Sequence, residues 1–510
     1  MKLSGLITAV EPLSIEHKGF GKNDPDIRSI HYRSQDVKPG GLFVAIAGHA
    51  ADGHDYIEDA IAKGAVAVVS QKEIKANVPN VRVPDTRRAL ADIAACFYGN
   101  PSERLTVIGI TGTNGKTTSA YLVESILQQA GFEVGVIGTI NYRYAGQTFD
   151  NPITTPESLD LQRILADMLR AGVSHVVMEA SSHAIDLYRI RSCRFDVAVF
   201  INLTQDHLDF HGDMQSYWVS KKRFFTEYLV EGPKSGQAVA VINCDNTYGG
   251  ELAEALTVPV FKTGSGPGNT VFSDNAQCDR NGIAGEISTP GGKFDFKSRL
   301  VGKHNLENIL CAAGVGAALE LPSGDLKTGI EAVSAIPGRL EHIENNAGRF
   351  VYVDYAHTPD ALENVIKALS AVMQRRLICV FGCGGDRDNE KRPLMGEIAA
   401  RLCDLAVVTS DNPRTEDPKA IIDQILGGAR KTNRRGYLVS DLKNGFKEKG
   451  YVVEADRRAA IQLAIAVSEP GDTVLIAGKG HETYQILGTS TIDFDDREEA
   501  RKALRAVSGQ

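Results

Sequence analysis

Ile110–Thr118 reads ITGTNGKTT. It follows a β-branched run, LTVIGIT (Leu105–Thr111), and opens a segment, residues 116–130, in which Leu122, Val123, Ile126, Leu127 and Ala130 recur at helical spacing. A strand, a glycine turn, Lys-Thr and a helix form the context of a phosphate-binding loop. Backbone N–H groups converge on the anion, the helix N-terminus adds its dipole, and the lysine supplies a point charge. The usual spacing is G-x-x-x-x-G-K-[ST]. Counting back from Gly115-Lys116-Thr117 puts Ile110 where the first glycine belongs, and the nearest glycines are Gly109 and Gly112. On spacing alone this is either a variant nucleotide loop or a strand-to-helix turn ending in a surface lysine.

Working outward, VGVIGTI, HVVMEAS, VAVFINLT and AVAVINCD read as buried parallel strands with helices between several of them. Upstream, GLFVAIAG and GAVAVVS are short apolar runs, and YGNPS (Tyr98–Ser102) is a strong break. A second break falls at SAIPGRLE (Ser334–Glu341). Beyond it the alternation restarts with FVYVDYA, a helical pattern over 359–373, LICVFG, a helical pattern over 392–403, LAVVTS and TVLIAGKG. The pattern predicts three α/β domains. Residues 1–101 form a smaller α/β unit and 102–336 a central parallel-sheet unit carrying the phosphate loop. Residues 337–510 form a Rossmann-like doubly wound unit without such a loop. No repeat or low-complexity tract is present.

The 510 residues carry a net charge of -8, with 56 Lys+Arg against 64 Asp+Glu, which gives no electrostatic footprint for nucleic acid. No apolar stretch is long enough to suggest a membrane span. The opening MKLSGLITAVEPLSIE has one lysine and a short apolar patch halted at Glu11, so no signal peptide is expected. The eight cysteines are scattered apart from Cys379 and Cys383, and Cys379 reads as a buried strand thiol. A cytoplasmic monomer without membrane or nucleic-acid partners is expected.

Further stretches are spread over nearly the whole chain: YRSQDVKPGGLFVAIAGHAADGHDYI, TTPES, MEASSHAID, NLTQDHLDFHGDM, GKHNLEN, PGRLE, VDYAHTPDAL, FGCGGDRDNEKRP, SDNPRTEDP and AGKGHETYQI. In this order, with GTNGKTT, they resemble the Mur ligase family, the ATP-dependent amino-acid-adding enzymes of peptidoglycan synthesis. The resemblance implies that Gly112, Thr113, Asn114, Gly115, Lys116, Thr117 and Thr118 bind ATP, with Asn305, Arg339 and Asp354 as further nucleotide contacts. Taken singly, those last three are ordinary surface polar residues.

Glu179 and His207 stand at predicted C-terminal strand ends, where ligands bind in open α/β sheets. A carboxylate and an imidazole beside a phosphate loop suit Mg²⁺, and Thr117 would place a hydroxyl on it; His207 by itself reads as a structural histidine, and the resemblance makes it a metal ligand. Lys221 by itself reads as a solvated helix lysine. The resemblance puts it at the position the family carbamylates with CO₂, giving an anionic metal ligand, and its distance of ten residues from His211 favours it over Lys222. Catalytic roles are thus expected of Lys116, Glu179, His207, Lys221 and Asp354.

For the UDP-sugar end of the substrate the resemblance points to Ser34, His49, Thr154, Thr155, Ser181 and Arg189. For the incoming amino acid it points to Arg387, Asp411, Asn412, Pro413, Arg414, Gly478 and Glu482. DNPR in this position marks the diaminopimelate-adding type, and two guanidiniums at neighbouring strand ends suit a carboxylate. Buried guanidiniums left unpaired by lysine could reject it by about 10⁴-fold. The expected substrates are ATP, UDP-N-acetylmuramoyl-L-alanyl-D-glutamate and meso-diaminopimelate. The rivals are lysine as the added amino acid and an inactive precursor-binding protein.

Overall fold

A computed structural model describes residues 1–10, 12–16, 24–48, 51–75 and 77–509. Its strands group into three large sheets, one in each of three successive stretches of chain, and a small hairpin. In the first sheet Ser29–His31, Gly41–Val44, Ala65–Ser70 and Asn80–Arg82 run parallel, and Ser14–Glu16 pairs antiparallel at the edge.

The central sheet is built around Thr106–Thr111, which lies between His175–Glu179 and Val197–Phe200 and is parallel to both. Side chains on these strands alternate between two cores. Val107, Val176, Met178, Ala198 and Phe200 enter one, and Ile108, Ile110, Val177 and Val199 enter the other. Both faces are covered, which is why the middles of these strands are apolar on both sides. Helix Lys116–Gln129 packs against the second core together with Lys303–Ala318 and Ser323–Ala332. Gly131, just past the first helix, has φ +84°, as a C-terminal cap requires.

The sheet is larger and more mixed than the sequence suggested. A hairpin, Tyr142–Tyr144 with Gln147–Phe149, extends one edge antiparallel. Gly282–Thr289 with Gly292–Ser298 extends the other. The strand read from VGVIGTI is confined to Val134–Ile137.

In the third sheet Phe350–Asp354, Thr473–Ala477, Leu377–Phe381, Leu405–Val408 and Gly450–Val453 are parallel, and Glu341–Ile343 is antiparallel at one edge. Cys379 and Phe381 face one core, Ile378 and Val380 the other. Among the described residues no helix is long and apolar enough to cross a membrane.

Candidate active site

Gly115 sits at φ +88° and starts helix Lys116–Gln129; a side chain there would collide with Asn308. Gly109 serves packing instead. A Cβ there would meet Phe224 at 2.5 Å and Phe195 at 2.7 Å, so the strand needs glycine to let those rings close on it. The loop is held from the next strand end. Asn202 Oδ1 accepts from Thr113 N at 3.1 Å and Asn114 N at 3.0 Å, and Thr113 Oγ1 donates to Thr204 O at 3.2 Å. The Lys116 ammonium folds back over the loop and donates to Gly112 O and Thr113 O, both at 2.9 Å. Burial lowers its pKa; the nearby carboxylates of Glu179 and Asp206 oppose the shift.

Lys221 reaches the same turn from below. It is 1% exposed, donates to Gly112 O at 3.0 Å, and stands 4.7 Å from the Tyr217 ring centre. Burial, and then the charge of Lys116, push it well below the usual lysine range. The reading of Lys221 as a solvated helix lysine therefore fails. The side chain at Lys222 is half-buried, so the two neighbours differ in environment.

Glu179 is 1% exposed, and its carboxylate is oriented by Thr139, whose N–H donates at 3.0 Å and whose hydroxyl donates at 2.8 Å. His207, with φ +55°, lies 3.5 Å from Asp206, and burial pushes its imidazole down to about 4, leaving it neutral at pH 7. Among the described residues no group of three or more His, Cys, Asp and Glu side chains could hold a metal ion. A hard divalent cation held through few protein groups plus substrate phosphates is the arrangement Mg²⁺ favours. Glu179, the Thr117 hydroxyl and the neutral His207 are the groups available for it.

A cleft of about 1600 Å³ brings many of the expected residues together: Thr113–Thr118, Thr154, Thr155, Glu179, Ser181, Arg189, His207, Asn305, Arg339, Asp354 and Glu482. Gly112 and Lys221 lie outside its lining and bond to each other. Ser34, in a short turn of the first sheet's segment, is also outside its wall. His49 lies outside the described residues.

Two guanidiniums in the wall, those of Arg189 and Arg339, carry buried Nε atoms that make no hydrogen bond; that of Arg189 stands 3.6 Å from Glu157 Oε2 as an ion pair. Arg189 Nη1 donates to Thr155 O at 3.3 Å, and Thr155 Oγ1 donates to Glu179 O at 2.8 Å. Arg339 Nη2 donates to Thr117 Oγ1 at 3.2 Å, and its guanidinium lies over the Tyr355 ring. Nearby, Asp360 Oδ2 accepts from Thr204 Oγ1 at 2.8 Å and Asn114 Nδ2 at 3.4 Å. These contacts join the third unit to the phosphate loop.

Asn305 and Asp354 are buried, at 4% and 6% exposure, and are not the surface residues their sequence context suggested. Asn305 Nδ2 donates to Val301 O at 2.8 Å. Asp354 accepts from Leu340 N at 2.7 Å and Ala356 N at 2.8 Å, and burial raises its pKa.

Three loops at the strand ends of the third sheet converge: GCGGD, DNPR and GKGHE. Arg392, fully buried, clamps the first two with a bidentate pair to Glu416 at 2.8 Å on each arm and a bond to Gly384 O at 3.1 Å. Arg414 has φ +52°, and its Nη1 donates to Gly385 O at 2.7 Å. Arg387 borders the same Gly384 as Arg414, but it is exposed rather than buried. Asp411, Asn412 and Pro413 are buried beneath this loop, and Gly478, at φ +117°, has no room for a Cβ beside Asp411. Of this set only Glu482 reaches the cleft wall. Sequence reasoning missed Asn202, Thr139, Arg392 and Lys479. All four lie in stretches already singled out in the sequence, Asn202 in NLTQDH, Thr139 in VGVIGTI, Arg392 in FGCGGDRDNEKRP and Lys479 in GKGHE, but nothing local marks them from their neighbours.

Consecutive segments match three family profiles: "Mur ligase family, catalytic domain" over residues 26–98, "Mur ligase middle domain" over 110–316, and "Mur ligase, glutamate ligase domain" over 338–480. The UDP-N-acetylmuramoyl-L-alanyl-D-glutamate–2,6-diaminopimelate ligase of Geobacter metallireducens is 48% identical, covering 100% of this chain and 99% of the relative. The ligase of that name from Gloeobacter violaceus is 45% identical over 94% of each chain. Among solved structures, one of an enzyme of the same name superposes with TM-score 0.69 at 29% identity, covering 100% of both chains. A MurF from Acinetobacter baumannii shares the fold, with TM-score 0.64 at 20% identity over 99% of this chain and 97% of that one. The phosphate loop, the three sheets in this order and relatives aligned from end to end place the chain in one group: it belongs to the Mur ligase family.

Proposed function

We propose that this chain is an ATP-dependent ligase that joins meso-2,6-diaminopimelate to the D-glutamyl γ-carboxylate of UDP-N-acetylmuramoyl-L-alanyl-D-glutamate, in the cytoplasm and as a monomer. The observation that carries the reading is a single cleft with the phosphate loop and Glu482 of the GKGHE loop in the same wall. Relatives bearing that activity in their names, 40–48% identical over most of both chains, support it. Residues 1–101 serve the uridine end, 102–336 hold ATP, and 337–510 take the amino acid.

The γ-phosphate passes to the substrate carboxylate, giving an acyl phosphate; the amine attacks, and phosphate leaves. Lys116 neutralises charge on the transferring group, and the loop N–H groups orient it. The unpartnered Nε of Arg339 suits nucleotide phosphate, and the guanidinium of Arg189, paired at one edge with Glu157, suits the sugar-nucleotide pyrophosphate. Thr117, Glu179 and His207 would hold Mg²⁺, with Lys221 joining them only as a carbamate, and the cation would supply further charge neutralisation. Carbamylation needs an unprotonated amine, and the depressed pKa of Lys221 favours that form. Contacts of Arg339 and Asp360 with the loop bring the third unit over the acyl phosphate and limit its hydrolysis by water.

The test is product formation with all three substrates, comparing meso-diaminopimelate with L-lysine. Phosphate release that requires the UDP-dipeptide and diaminopimelate together is expected. Equal use of lysine would point to the lysine-adding reaction, and no turnover with any amino acid would point to a precursor-binding protein.

A further inference from the structure

Glu482 and Asn412 meet on Lys479, a residue with no exposed surface. Its ammonium donates to Asn412 Oδ1 at 3.1 Å and Glu482 Oε2 at 3.0 Å, with Asp411 Oδ1 3.9 Å away. Asn412 Nδ2 donates to the same Glu482 oxygen at 2.9 Å, and Ile486 N donates to Asn412 Oδ1 at 3.0 Å. The amide is thereby fixed in one orientation, its oxygen facing two donors and its nitrogen facing a carboxylate. Glu482 Oε2 is filled from behind. No bond to Oε1 is made among the described residues, and Glu482 lines the cleft.

The charges agree with this geometry. Lys479 faces Glu482 and Asp411, and the nearby Arg457 is balanced by its own pair with Asp496, so the cluster keeps one net negative charge, the charge that one ammonium neutralises. Burying an ammonium is costly even when it is paired, and an apolar side chain would fill the space at lower cost. The charge makes sense here as an orienting device.

We propose that Lys479 is a positioning residue of the amino-acid site: it holds Glu482 so that a single carboxylate oxygen meets the ammonium of the incoming zwitterion. The proposal rests on the amino-acid pocket assigned above. Without Lys479, Glu482 keeps only the Asn412 bond among the described residues, and the nearest remaining cation, Arg457, is committed to Asp496.

The experiment measures kcat and KM for all three substrates in full-length wild type, Lys479→Met, Glu482→Gln and the double variant. Lys479→Met should raise KM for diaminopimelate about 10- to 100-fold, the range for losing a charged hydrogen bond. KM for ATP and for the UDP-dipeptide should stay within about threefold, because those contacts lie elsewhere in the cleft. Because Lys479 acts through Glu482, the double variant should fall within about threefold of Glu482→Gln alone. Comparable rises in all three KM values, or losses that multiply in the double variant, would overturn the proposal. If Lys479→Met does not fold, the double variant, which lacks the uncompensated carboxylate, is compared with Glu482→Gln on the same criterion. If wild type takes another amino acid in place of diaminopimelate, the comparison is made on that amino acid. A wrong substrate and a wrong role for Lys479 then give different results.

Discussion

Replacing Arg414 with alanine is expected to cut kcat/KM for meso-diaminopimelate and to erase most of its advantage over L-lysine. The two amino acids differ by one carboxylate, so discrimination equals what the pocket gives that group. Arg414 is half-buried and commits Nη1 to Gly385 O at 2.7 Å. Nε and Nη2 make no hydrogen bond among the described residues and offer a planar pair of donors. Two charge-assisted hydrogen bonds at about 1.5–3 kcal/mol each amount to roughly 3–6 kcal/mol, or about 10²- to 10⁴-fold. Arg387 is exposed, so water solvates it when lysine is bound, and it adds about 1 kcal/mol at most. Partial hydration of Arg414 also softens the penalty, which places wild-type discrimination at about 10²- to 10³-fold, below the roughly 10⁴ of a sealed site. The backbone of residue 414 is tied to the neighbouring hairpin through Ile486 O and Gly488 N, so the loop should survive truncation. Arg414→Lys should not restore activity, because one ammonium cannot replace the fork. The assay is kcat/KM for both amino acids in wild type, Arg414→Ala and Arg414→Lys. Full discrimination retained by Arg414→Ala, or equal use of both amino acids by wild type, would refute the pocket assignment.

Three further outcomes follow from the same site. Lys116→Ala should lose ligation by several orders of magnitude yet stay folded, since among the described residues its ammonium bonds only to carbonyls of its own loop; near-normal turnover in a folded variant would show that ATP binds elsewhere. Lys221→Ala should be nearly inactive and regain part of its turnover with bicarbonate and a short carboxylic acid; an unmodified Lys221 beside bound Mg²⁺ in a crystal structure would rule out the carbamate. The Arg392 fork and the Asp386 N–H hold Glu416 at about 2, below its ordinary 4.5, so this carboxylate stabilises the fold fully above about pH 4.5 and progressively less as pH falls towards 2. The melting temperature of wild type should therefore drop further than that of Glu416→Gln across that interval, and parallel acid profiles would contradict the linkage.

The parts of the molecule legible in the sequence are those with a strong local signal. Strands buried on both faces, such as Val197–Phe200 and Leu377–Phe381, are unbroken apolar runs. The phosphate loop is a contiguous motif between a strand and a helix. The antiparallel edges are not legible in this way, because strands such as Gly292–Ser298 alternate buried with exposed residues and lack a continuous apolar run. Long-range polar bonds are equally silent. Arg392 and Glu416 lie 24 residues apart and look like surface charges until two loops meet. Asn305, Asp354 and Lys221 show the same limit: a polar side chain does not announce its burial, which neighbouring strands and helices create.

Ten described non-glycine residues hold positive φ, and His207, Leu340, Asp386 and Arg414 among them stand in or beside the cleft and the amino-acid loops. Each such residue costs about 1–2 kcal/mol relative to a right-handed backbone, a penalty that glycine escapes. Evolution towards folding alone would therefore drift to glycine at these positions and gain expression. Evolution that keeps the imidazole or the guanidinium must carry the strain. Lineages that lost the need for this chemistry would record the loss first as glycines at 207 and 414, while the apolar strands beneath stayed unchanged.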